Sequence, residues 1–126
     1  MTIALWTILV AAFLPLVFTG IAKFSKGATR FDNRQPRVFQ ANLDGFRARA
    51  HWAHLNSIEA FPPFAAAVLV AHVLHAPQDK ADLLAVAFIV LRLVYGAMYL
   101  ANQATLRSVA WALGVACVVG LFVISA

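Results

Sequence analysis

Four apolar stretches separated by polar segments run along the chain. Thr2 to Ala22 is twenty-one residues without a charge. About 20 residues at a rise of about 1.5 Å cross the hydrocarbon core of a bilayer, so a first span is predicted here. A secretory leader would carry cations ahead of the apolar run; none is present, and the segment reads as a retained span. Pro15 predicts a kink that neighbouring helices can accommodate. Lys23 to Arg49 is polar and basic, broken by Gly27, Pro36 and Gly45, and predicts a loop over 23–47 without a long helix. A second span is predicted over about 48–75, with a kink at Pro62-Pro63. Ala76-Pro-Gln-Asp-Lys80 reads as a tight turn, and Ala81–Ala101 as the third span. Asn102 to Ser108 reads as a short polar turn before a fourth span over about 109–125. The pattern predicts an all-α integral membrane protein, a four-helix bundle in a single domain over 1–126.

The second stretch departs from an ordinary span. Its first half carries Arg49, His51, His54, Asn56 and Glu59. Ionisable groups at membrane depth are costly and mark functional sites by default. At about 100° per residue, Arg49, Trp52, Asn56 and Glu59 share one stripe, which must face other helices or a watery cavity. Arg92, Tyr95 and Tyr99 share a face of the third span. A mid-span arginine needs a partner, and Glu59, the only acidic residue inside another span, predicts a Glu59–Arg92 pair. Arg107 stands at the start of the fourth span, where a cation opposes the helix dipole; a nearby anion would reconcile the two.

Composition fixes the solvent. Of 126 residues, 63% are hydrophobic and 12% charged; a soluble domain has about 45–50% apolar and about 25% charged residues. The net charge of +5 does not point to nucleic acid, because seven of ten Lys and Arg lie in Lys23–Arg49. That placement predicts a cytoplasmic loop and both termini on the non-cytoplasmic side. The single cysteine, Cys117, excludes an internal disulfide and reads as a small buried hydrophobe. The pairs His51/His54 and His72/His75 lack further ligands nearby in sequence, and no metal site is expected.

The segment Arg49-Ala-His-Trp-Ala-His-Leu-Asn-Ser-Ile-Glu-Ala-Phe-Pro-Pro-Phe64 resembles the second-helix signature of the MAPEG family, the membrane-associated proteins in eicosanoid and glutathione metabolism. Arg92-x-x-Tyr95-x-x-x-Tyr99, followed by Arg107-Ser108, resembles that family's third helix and its turn into the fourth. The resemblance runs from about Val38 to the C-terminus. It implies a four-helix protomer in a homotrimer with ligand sites between subunits. It further implies a glutathione-dependent transferase or peroxidase acting on lipophilic small molecules. Other members bind lipophilic ligands without doing chemistry, so the alternative is a non-catalytic trimer that binds membrane lipid or serves as a structural subunit of a larger membrane complex. By position, Asn56, Glu59, Arg92, Tyr95 and Tyr99 resemble glutathione-binding residues. Lys23 stands for the first-helix arginine. Arg107 resembles the arginine that stabilises the thiolate, with Ser108 beside it. Two positions depart: Trp52 stands where an arginine meets a glutathione carboxylate, and Ala60 where some members place a tyrosine.

Overall fold

The computed structural model describes residues 1–126 and contains helices and connecting turns only. Four helices are long: α1 (Ile3–Phe24), α3 (Gly45–Val73), α4 (Gln78–Leu100) and α5 (Ala104–Val123). A six-residue helix, α2 (Pro36–Ala41), interrupts the basic loop, started by Pro36 at its first position. α1, α4 and α5 are long and apolar enough to cross a membrane. α3 is longer still at 29 residues, but Arg47, Arg49, His51, His54 and Glu59 leave it less apolar. The helix continues through Pro62 and Pro63.

α1 packs chiefly on α3 and α5 on α4, while α3 and α4 join the two pairs. Alanines make this possible. Ala4, Ala11, Ala67, Ala71, Ala81 and Ala85 are all buried in the main core. Small side chains let helix backbones approach closely, which is how helices associate where lipid removes the hydrophobic drive. Phe64 and Phe88 stack at the centre, ring centroids 3.9 Å apart. Cys117 belongs to the same core. Gly96 of α4 admits Phe18 of α1 into the space a Cβ would fill.

Charged side chains from other helices close both ends of α1. At its start, Thr2 Oγ1 accepts from the Leu5 amide, and Asp82 Oδ1 of α4 accepts from the Ala4 amide at 2.7 Å. These amides have no intrahelical partner, and a carboxylate there also meets the positive end of the dipole. At its end, Arg47 of α3, buried, donates to the carbonyls of Ala22 (2.9 Å), Lys23 (2.8 Å) and Thr29 (2.6 Å). A Cβ on Gly27 would collide with that guanidinium, so the loop passes close only because residue 27 is glycine.

The two turns between long helices share one device. His75 (φ 55°) and Asn102 (φ 58°) take the left-handed conformation just past α3 and α4. The next amides, of Ala76 and Gln103, reach back to the carbonyls of Ala71 and Met98, both at 2.9 Å. This closes the last turn in a Schellman motif. It lets the following helices start early. α4 begins at Gln78 rather than 81, placing Asp79 in its first turn. α5 begins at Ala104, so Thr105 to Ser108 are helical and not a polar turn.

Candidate functional site

One face of α3, α4 and α5 forms a groove with two recesses. The larger, about 370 Å³, is lined by Asn56, Glu59, Phe88, Arg92, Trp111 and Val115, among others. The smaller, about 220 Å³, is lined by Asn56, Tyr95, Tyr99, Arg107, Ser108 and Trp111. Asn56 and Trp111 belong to both. The structure therefore brings Asn56, Glu59, Arg92, Tyr95, Tyr99, Arg107 and Ser108 to one face. Lys23 lies elsewhere: from the last turn of α1 its ammonium sits 4.8 Å over the ring of Phe31 in the basic loop.

The helical periods explain the convergence. On α4, Arg92, Tyr95 and Tyr99 stack along one side. Arg92 lies 4.2 Å from the Tyr95 ring, and Tyr95 meets Tyr99 edge to face at 5.6 Å. Arg107, one turn into α5, lies 4.3 Å over the other end of the ladder at Tyr99. Each cation–ring contact contributes about 0.5–2 kcal/mol, rising as water is excluded. Trp52 leans on Tyr99 with centroids 6.2 Å apart, and Arg49 reaches the Leu100 carbonyl at 3.4 Å. The polar stripe of α3 thus faces the end of α4.

The Glu59–Arg92 pair is not formed. Arg92, 4% exposed, donates instead to Ser57 Oγ at 3.1 Å, and Ser57 donates to the Ala53 carbonyl at 2.8 Å. Ser57 and Glu59 are about 200° apart on the helix, so only one can turn into the α3–α4 contact. Ser57 is the buried one, and Glu59 is exposed at the groove. Arg92 is left with one side-chain hydrogen bond and no carboxylate. The one ion pair in the chain is Arg34–Asp32, in the loop.

Two features of the groove leave polar groups unmatched. Asn56 Oδ1 is buried with no hydrogen-bond partner. Such a group costs about 1–3 kcal/mol until a donor meets it. Two cations, Arg92 and Arg107, also line the recesses without an acidic partner. The arrangement is suited to a ligand that combines anionic groups with donors. The apolar wall of Phe88, Trp111 and Val115 would meet a lipophilic group.

Two of the four histidines take structural places. His54 Nδ1 donates to the Pro15 carbonyl at 2.8 Å, and His75 shapes a turn. Arg47 is the residue whose role was not read from the sequence. Its only signal was an arginine at the end of the basic loop, a stretch with too few acids to pair its cations.

The profile of the MAPEG family matches residues 3–126. The chain belongs to that family and is an integral membrane protein. None of the curated proteins and none of the solved structures matches it.

Proposed function

From membership of this family and the geometry of the groove, we propose that the protein is a membrane-bound glutathione-dependent transferase or peroxidase. All four long helices cross the bilayer, and the functional unit is a homotrimer. One observation carries the reading: Asn56, Tyr95, Tyr99, Arg107 and Ser108 line one recess, which holds no carboxylate. Glutathione is a net anion at neutral pH with donors to offer Asn56 Oδ1.

The chemistry follows from Arg107. A free thiol of this kind is mostly protonated at neutral pH, with a pKa near about 8.5. Arg107 remains charged at any working pH and stands near the positive end of α5. Placed beside the sulfur, it favours the thiolate; each pKa unit of lowering is about 1.4 kcal/mol. Arg92, Asn56, Glu59 and the two tyrosines hold and orient the tripeptide. The electrophile enters sideways from lipid along Trp111 and Val115. The thiolate sulfur then bonds to an electrophilic carbon, which expels its leaving group. In the peroxidase variant, two thiols reduce a lipid hydroperoxide to an alcohol and water and leave as a disulfide.

A second reading rests on Trp52. Its ring leans on Tyr99 where family enzymes carry an arginine, and Ala60 adds no hydroxyl. A groove so altered serves a non-catalytic lipid-binding or structural trimer. Calorimetry of the detergent-purified protein with glutathione decides, together with turnover of a chlorodinitrobenzene. Binding and turnover support the enzyme. No turnover in the wild type, with no gain in binding from Trp52→Arg, supports the structural trimer.

A further inference from the structure

The basic loop builds a second recess, separate from the groove. It measures about 590 Å³ and is lined by Lys23, Phe24, Lys26, Arg30, Phe31 and Arg47, with no carboxylate on its wall. Arg47 is committed to three carbonyls, and Lys23 to the Phe31 ring. Lys26 and Arg30 are exposed and in no ion pair. The nearby acid is taken: Arg34 donates to Asp32 from its side chain and its backbone amide. Those bonds hold the Asp32 carboxyl below the usual carboxylate range, so it stays charged and paired.

Position supplies the rest. α1 has 22 residues; at about 1.5 Å each that is about 33 Å, slightly more than the hydrocarbon thickness of about 30 Å. Its last residue, Phe24, is 76% exposed and meets Phe31 edge to face at 5.6 Å. At that length the end of α1 reaches about the edge of the hydrocarbon, and the recess beside it carries the exposed Phe24 ring. We propose that it holds the headgroup of an anionic phospholipid from the leaflet the loop faces. Lys26 and Arg30 meet the phosphate, and Phe24 lies against the glycerol and first acyl carbons. A free phosphate lacks the apolar part that Phe24 would meet. A topological signal alone needs only charge somewhere in the loop, whereas a headgroup site needs it at Lys26 and Arg30.

The test is native mass spectrometry of the full-length, delipidated protein in detergent. The probe is phosphatidylglycerol, with phosphatidylcholine of the same chains as the neutral control. Phosphatidylglycerol should bind saturably, and millimolar inorganic phosphate should not displace it. Lys26→Gln with Arg30→Gln should weaken binding about tenfold or more. Arg37→Gln removes one charge from an exposed position of the same loop outside the recess and should change binding less than about twofold, where Arg30→Gln alone weakens it severalfold. Equal losses from these two single variants would mean a diffuse field and overturn the proposal. Equal retention of phosphatidylcholine, or full displacement by phosphate, would overturn it too. Circular dichroism checks folding. Should the double variant unfold, Lys26→Gln alone should still weaken phosphatidylglycerol binding by more than Arg37→Gln does, and an equal effect would count against the site.

Discussion

Two buried arginines show how a charge is settled at the scale of one residue. Arg47 has three carbonyls, two from the last turn of α1. Hydrogen bonds to charged groups contribute about 1.5–3 kcal/mol each, though not additively. Arg47→Ala should therefore destabilise the protein by several kcal/mol, seen as a lower melting temperature in mild detergent. Gly27→Ala should do the same in part, because the new methyl group occupies the guanidinium's place. Arg92 has only Ser57 and the Tyr95 face. Ser57→Ala should cost about 1–3 kcal/mol by removing that acceptor. Arg107 is half-exposed and sits against one ring. Arg107→Ala should leave the melting temperature nearly unchanged. If the enzyme reading holds, it should also lower turnover about 10- to 1,000-fold through a thiol pKa higher by about 1–3 units. Glutathione binding should weaken less, since the other contacts survive. Thiolate absorbance against pH reads the shift directly. That Arg92 needs a partner was legible from its place in an apolar run. Which partner was not, because Ser57 and Glu59 are both close in sequence and only the rotation of α3 separates them.

Helix ends are where the elements were hardest to read. The long apolar runs located α1, α4 and α5 well, since burial in lipid leaves little choice of residue type. Their starts were misplaced by up to five residues. The reason is chemical: a residue in left-handed conformation stops one helix so tightly that the next begins within two residues or so. His75 pays a steric penalty there that glycine would not. His75→Gly should raise stability by about 0.5–1 kcal/mol; Asn102→Gly should be closer to neutral, as Asn tolerates this conformation. Thermal melts of the two variants check the order. At the opposite end of α1, Asp82→Ala should cost about 1 kcal/mol by uncapping the Ala4 amide, an effect no local pattern announces. Gly96→Ala should be worse, about 1–3 kcal/mol, because Phe18 occupies the space the methyl needs.

At the scale of the molecule, one chain leaves much apolar surface uncovered, including Trp6, Phe13, Leu16 and Val17 on α1 and Trp111 on α5. Lipid or further copies must meet it. On the proposed reading the copies are two, and the protein in mild detergent should have the mass of a trimer plus bound detergent; a monomer mass would refute it. The charge of the loop sets a further expectation, that a reporter fused after Ala126 works only outside the cytoplasm. A signal from a reporter that works only inside would sink that topology. Composition and periodicity by themselves determined the solvent, the helical class and the face on which Asn56, Arg92, Tyr95 and Tyr99 lie. They could do so because a bilayer demands apolar runs, and helical period carries side chains to a common side. Tertiary structure alone decided that Arg92 meets Ser57, that Arg47 closes α1, and that Lys23 turns to Phe31 of the loop. Those outcomes depend on how helices rotate and approach one another, which alanine and glycine contacts between distant segments set.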